Sequence, residues 1–471
     1  MAMSERAEPS CTLRTHVGSR LRHRRRAAGL SQRQLGRRLG YHHSFISKIE
    51  SGARWPPPRL LSHADQVLGA EGELSALWRV VVSARSGTPD DAQIEAPVPG
   101  GSGPDPSPGP LGFPELAGLR GLRLPLFGVT CPAHGADGCR AVLEEDALLP
   151  HLRTGAPSGH HRAGAEVVHG FAVLLAAFTK AHLETRAAGT IASTERCLRA
   201  LTRLAAHTGG KTAAGLRYLA PQYAHLAGWL RVELGQRGLG MLWFDRGVGW
   251  GRAAGNVPAV CECLGRMSLV ARLERDAPCA AGYAEALRVA GAGRRWAEVL
   301  AEIHLLRARA VAGDLAGLTA HVWAVRNLLD RADGDPLDAP WLCGRKGHAY
   351  VESSVSAGFR DIAALGSDVR AAGSALTAAK LALANVSTRM RPSEVLLTLR
   401  LADAYACSGI LDSAVQIAAA VAGEAVALDT TLINTELRGL RGRLWRTWGG
   451  LAEVRAFDDL LRAERTRVDT T

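Results

Sequence analysis

Residues 30–52 read LSQRQLGRRLGYHHSFISKIESG, and the fold of the N-terminal end turns on them. Ser31 is a good N-cap, because its hydroxyl accepts a backbone N–H that has no partner inside a helix. Leu35 and Leu39 follow at i and i+4, the spacing of one helical face. Gly40 then fits the left-handed position that ends a helix. A second helical pattern starts almost at once. Two short helices joined by a tight glycine turn are predicted, a helix-turn-helix. At ~100° per residue, Phe45, Ile46 and Ile49 of the second helix fall on one side, and His43, Ser44, Ser47, Lys48 and Ser51 on the other. The first set must pack on the preceding helices. The second is small, polar and basic, as a helix entering the major groove requires. His42 takes the helix-start position and His43 opens the polar face, so the adjacent histidines point apart and make a poor joint metal site.

The charge is concentrated around this stretch. Residues 1–85 hold fifteen Lys and Arg against six Asp and Glu, so +9 of the chain's +12 sits there. Lys48 is the only lysine among them; the rest is arginine, which pairs well with phosphate. A basic balance confined to one end favours an anionic partner at that end. Arg20, Arg22, Arg24 and Arg26 are further candidates for phosphate contact, of which one or two are expected to serve.

Farther along, residues 86–114 (SGTPDDAQIEAPVPGGSGPDPSPGPLGFP) carry eight prolines and six glycines, a composition that propagates neither helix nor sheet. They are read as a linker. Residues 115–162 form an irregular connecting segment. From 163 to 471 apolar residues recur at helical spacing, broken by Gly, Pro and Asp. Gly228, Gly235, Gly240, Phe244 and Gly247 space small and large residues as a two-helix unit does. Ala402, Gly409, Ala414, Ala418 and Val421 repeat that spacing, and Ala312-Gly313-Asp314 marks a looser copy. Such units bury their faces only by stacking, so several are needed. Trp229, Trp243, Phe244, Trp250, Trp296, Trp323 and Trp341 are expected mainly between helices, with a ligand groove as the alternative.

The segment from about 14 to 82 resembles the Cro/repressor-type helix-turn-helix domain of the xenobiotic-response-element (XRE) family. The likeness rests on LRHRRRAAGLSQRQLGRRLGYHHSFISKIESG, followed by RLLSHADQVLGA as a fourth helix. The resemblance implies a small five-helix, lambda-repressor-like DNA-binding domain. It implies that His43, Ser44 and Lys48, with Ser47 nearby, face bases. It also implies that Gln32 and Arg54 meet phosphate and that Arg25 pairs internally with Glu50. The body resembles degenerate tetratricopeptide (TPR-like) repeats. The whole order is similar to a group of actinobacterial regulators with a DNA-binding domain, a linker and a long repeat region.

Other chemistry is thin. Thr208-Gly209-Gly210-Lys211-Thr212 contains GKT, but a phosphate-binding loop needs a glycine at 205, which is Ala205, and a preceding strand. Cys131, His134 and Cys139 could hold zinc, with His151, His160, His161 or His169 as a fourth ligand. Their spacing fits no standard finger, so no metal is expected. Cys261-Glu262-Cys263 lies in a helical pattern where i and i+2 point apart, so core cysteines are expected. No nucleophile elbow, paired-carboxylate motif or dinucleotide fingerprint is present. Nine cysteines are scattered through a long chain that opens without a signal-peptide core and holds no run of 18 apolar residues.

The expectation is an all-α, cytoplasmic, homodimeric transcriptional regulator that is not an enzyme and has no cofactor. Its partner is a double-stranded DNA operator. The helical body dimerises or senses a peptide, small molecule or protein. The alternative is an interaction scaffold or antitoxin-like protein in which DNA binding is secondary.

Overall fold

The computed structural model describes residues 9–70, 74, 75, 77, 78, 122–152, 164–184, 190–331, 338–366, 368–386 and 390–469. The linker stretch 86–114 lies outside them. The described residues are almost entirely helical, with one two-stranded hairpin. The fold is all-α.

The N-terminal module is built from α1 (Pro9–Ala27), α2 (Gln32–Leu39), α3 (His43–Glu50) and α4 (Pro58–Leu68), with helical backbone again at Leu74, Ser75, Leu77 and Trp78. Ser31 and Gln34 close a capping box at the start of α2: Gln34 N–H donates to Ser31 Oγ (3.2 Å) and Ser31 N–H to Gln34 Oε1 (2.8 Å). Gly40 ends α2 at φ 77°, a conformation strained for any residue with a Cβ. Val17, Leu21, Leu35, Ile46, Ile49, Leu60 and Leu61 make a dry core. Gly18 lets α1 and α3 touch, since a Cβ there would collide with the Ile49 carbonyl.

The body opens with β1 (Arg123–Leu124) and β2 (Cys139–Arg140), antiparallel with Leu124 opposite Cys139. Then come α5 (Glu145–Leu152), α6 (Ala165–Glu184), α7 (Thr190–His207), α8 (Gly210–Glu233), α9 (Arg237–Ala254), α10 (Val257–Leu273), α11 (Ala277–Ala290), α12 (Arg295–Ala312) and α13 (Leu315–Arg331). The last are α14 (Gly344–Gly366), α15 (Val369–Asn385), α16 (Arg391–Cys407), α17 (Leu411–Ala420), α18 (Ala422–Leu428), α19 (Thr431–Trp448) and α20 (Ala452–Asp469). From α7 to α17 successive helices pack on one another, and α8, α10, α12, α14 and α16 each also touch the next of that series. The result is a row of stacked helix pairs.

Small residues set the crossings. A Cβ on Gly228 would lie 2.7 Å from Phe244 Cδ1, and one on Gly240 2.7 Å from the Gly228 carbonyl oxygen. Gly235 makes the turn between them at φ 75°. Ala402, Ala414 and Ala418 are fully buried around Gly409, which turns at φ 79°. The row also curls back on itself: Thr431 Oγ1, at the start of α19, donates to the Val232 carbonyl (2.9 Å) near the end of α8. Its backbone N–H donates to the Glu233 carboxylate.

The tryptophans divide. Trp229, Trp243 and Trp296 are buried between helices, whereas Trp323 is 71% exposed. Cys261 and Cys263 are buried core cysteines, and burial pushes the Cys261 thiol up to about 12. Among the described residues, α6 by itself is long and apolar enough to cross a membrane, but 67% of that stretch is buried inside the body. The GKT residues open α8 and follow a helix rather than a strand.

The N-terminal module packs against this body through α1. Leu239 and Leu242 of α9 join its core, and Arg20 forms an ion pair with Glu274 after α10. Arg20, read as a possible phosphate contact, therefore turns to the body. Its side chain is 5% exposed and satisfied by a carboxylate 254 residues away.

Candidate nucleic-acid interface

The candidate DNA-facing surface is held by one buried acid. Glu50, at the last position of α3, accepts from Arg25 Nε at Oε1 (2.6 Å) and from Arg25 Nη2 at Oε2 (2.8 Å). Its carboxylate is fully buried and the arginine nearly so. Arg25 also donates to the Leu30 carbonyl (2.7 Å), at the entry to α2. The fork thus locks α1, the turn before α2 and the end of α3 in one geometry. Gln32 joins the same acid, with Nε2 donating to Glu50 Oε2 (2.9 Å), and Arg22 donates to the Glu50 carbonyl (2.9 Å). Arg22 and Gln32 as supports of Glu50 were not foreseen. They lie 28 and 18 residues from Glu50 on other helices, so no local spacing marked them.

On α3, His43, Ser44 and Lys48 are exposed and Ser47 is half-buried, so the polar face points away from the core. Ile46 and Ile49 are fully buried beneath it. Phe45, expected to pack inward, is half-buried at the edge instead. Its ring stacks on Tyr41 at 5.1 Å, and the Arg54 guanidinium lies 4.8 Å above it. Arg54 is thereby positioned just beyond the recognition helix, its backbone N–H donating to the Lys48 carbonyl (3.0 Å). His42 is the N-cap of α3, and its ring lies 4.2 Å from that of His43, so the two imidazoles sit side by side instead of pointing apart. The His42 Nδ1 accepts from the Ser44 N–H at 3.4 Å and lies 2.8 Å from Ser44 Oγ. An imidazole nitrogen here does the work of the hydroxyl usual at an N-cap, and it ties up one bond of Ser44.

A second cluster lies at the start of the body. Cys131 Sγ, His134 Nδ1, Cys139 Sγ and His169 Nδ1 all fall within 4.8 Å of one another. Of the four histidines weighed as a fourth member, His169 on α6 is the one that joins. His151 is not in the group, and His160 and His161 lie outside the described residues. The expectation of no metal rested on the spacing of 131–139; a group completed from the next long helix escapes any reading of local spacing. Burial, with the neighbouring Cys131, pushes the Cys139 thiol up to about 11, and burial lowers His169 from its ordinary value.

Neither curated proteins nor solved structures gave a match to this chain. The helix-turn-helix domain family matches residues 16–78, the span from α1 to the helical residues at 77 and 78. The chain therefore carries a helix-turn-helix DNA-binding domain at its N-terminal end.

Proposed function

We propose that the chain is a sequence-specific transcriptional regulator of the XRE, Cro/repressor type, with no catalytic activity, working in the cytoplasm as a homodimer. The observation that carries this reading is the exposed polar face of α3, with His43, Ser44 and Lys48 outward and Ser47 beside them, clamped from behind by Arg25 and Glu50. Those four residues would meet base edges in the major groove, while Gln32 and Arg54 at its margins would meet phosphate. The domain's +9 charge supplies a sequence-independent attraction that falls steeply with salt. Two copies would read half-sites about 34 Å apart, one helical turn.

The body is read as TPR-like repeats that dimerise and sense a ligand. One feature favours an anionic ligand. Arg272 Nε, His304 Nδ1 and Arg307 Nε are buried and find no hydrogen-bond partner among the described residues. Burial lowers Arg272 to about 9, with the Arg307 charge adding to it, and lowers Arg307 to about 10 although its partner Asp361 opposes the shift. A carboxylate-bearing peptide or small molecule would satisfy such nitrogens.

The deciding experiment is a gel shift of the purified full chain on DNA upstream of its own gene. A specific complex that survives moderate salt and is weakened in Lys48→Ala supports the reading. Absence of any specific complex refutes it. A stoichiometric protein partner with no dependence on Lys48 would favour a scaffold or antitoxin-like protein instead.

A further inference from the structure

We propose that Cys131, His134, Cys139 and His169 form a structural zinc site that staples the hairpin at the start of the body to α6. The proposal is independent of the DNA-binding reading.

The distances suit the ion. Cys131 Sγ lies 3.3 Å from His134 Nδ1 and 3.5 Å from His169 Nδ1, and Cys139 Sγ lies 3.4 Å from His169 Nδ1. Zinc bound tetrahedrally, at about 2.3 Å to sulfur and about 2.0–2.1 Å to nitrogen, sets sulfur and nitrogen ligands about 3.6 Å apart. The two imidazoles stand edge to face, at 88° and 5.1 Å between centroids, so that both Nδ1 atoms reach the same space. Both cysteines are free thiols.

The scaffold is built for this convergence. The Cys131 carbonyl accepts from the His134 N–H (3.1 Å) and the Gly135 N–H (2.8 Å), a tight turn that brings His134 back over Cys131. Gly138, at φ 73°, passes so close to Leu124 that a Cβ would collide with the Leu124 carbonyl. Cys139 follows immediately, fixed by its register with Leu124. His169 comes from a different element, α6, and its orientation is set from behind. Nε2–H donates to the Val142 carbonyl (2.8 Å), which leaves Nδ1 as a lone pair aimed at the sulfurs. A carbonyl-held histidine of this kind is the usual partner arrangement of a metal-ligating imidazole.

Ligand type and number select the metal and the role. Two thiolates and two imidazoles suit zinc far better than calcium or magnesium. Four protein ligands fill a tetrahedral shell, so the site has no open position for a substrate and its role is structural. Cys131 is buried while His134 is exposed, which gives the ion a route in. The hairpin strands are two residues each, too short to hold this segment by pairing alone. Zinc would supply the missing cross-link between residues 131–139 and α6.

The test uses the full chain purified without a histidine tag. Elemental analysis should find one zinc per chain. Metal-stripped, reduced protein titrated with cobalt should develop the visible bands of a tetrahedral thiolate complex. Cys139→Ser and His169→Gln should each leave the chain short of zinc. His134→Cys, which keeps a ligand in place, should retain it, as should Cys261→Ser, a core cysteine outside the cluster. Wild-type protein that carries no zinc and takes up no cobalt would overturn the proposal. So would full zinc content in the Cys139→Ser, His169→Gln double variant, or a Cys131–Cys139 disulfide in the freshly isolated protein.

Discussion

Arg20 of the DNA-binding domain and Glu274 of the helical body pair across a seam in which their side chains are 5% and 12% exposed. Removing one partner leaves the other charge desolvated. Glu274→Gln should therefore destabilise the full chain by about 1–3 kcal/mol, with Arg20→Gln adding little on top because the two share one interaction. A double-mutant cycle in denaturant unfolding reads the coupling. A coupling under about 0.5 kcal/mol, the scatter of independent sites, would mean that the seam is open in solution.

Lys48 stands on the exposed face of α3 with no packing role. Lys48→Ala should leave the melting temperature unchanged and cost about 1–3 kcal/mol in operator binding, with relaxed discrimination at one base position. Fluorescence anisotropy on operator and scrambled duplexes separates the possibilities. A uniform loss on both, with the salt slope shallower by about 1, would move Lys48 from a base to a phosphate.

Glu50 is buried against Arg25, with Gln32 and Arg22 on the same residue. Glu50→Gln keeps the shape and discards the charge. It should destabilise the domain by about 3–5 kcal/mol, the cost of orphaning a buried ion. Operator affinity should fall with it, because Glu50 anchors the end of the reading helix. Wild-type thermal stability in this variant would show that the fork contributes no net energy.

Glu436 on α19 is buried, which opposes its charge, but Arg360 and Arg400 overcome that and hold its carboxyl at about 2 instead of 4.5. A folded value below the unfolded one contributes stability that is present above pH 4.5 and lost as pH falls toward 2. Acid titration of the unfolding free energy should slope downward in that window, and Glu436→Gln should flatten it. An unchanged slope in the variant would transfer the acid sensitivity to other carboxylates.

Gly240 faces the Gly228 carbonyl and Val232 across the α8–α9 crossing, with a Cβ 2.6 Å from Val232 Cγ2. Gly240→Ala must push these helices apart and should cost about 1–3 kcal/mol despite the better helix propensity of alanine. Gly249, on the same helix with open space around it, is the control, and Gly249→Ala should be neutral or stabilising. Equal effects at the two positions would contradict the close crossing.

Local features were legible in the sequence because local physics decides them. Ser31 and Gly40 cap α2, and the outward face of α3 follows from helical period alone. Gly228, Gly235 and Gly240 marked a helix pair because close crossings and tight turns both demand a missing Cβ. Arg25 and Glu50 came only through resemblance to a known domain. What stayed hidden depends on distant chain. Arg20 looks like Arg22 in a basic run until Glu274 arrives. Leu239 and Leu242 carry no mark that says they belong to another domain's core. His169 stands among four candidate fourth ligands, and nothing local sets it apart from His151, His160 or His161 until two sulfurs are placed beside it.

The bond from Thr431 to Val232 changes what the row of helices is mechanically. A row with free ends has each pair held only by its neighbours. Tied from α19 back to the end of α8, it becomes a closed loop of helices. The joint lies at the end of α8, and the next helix, α9, carries the two leucines on which the DNA-binding domain rests. The tie thus joins the far end of the row to the helix pair that supports the DNA-binding domain.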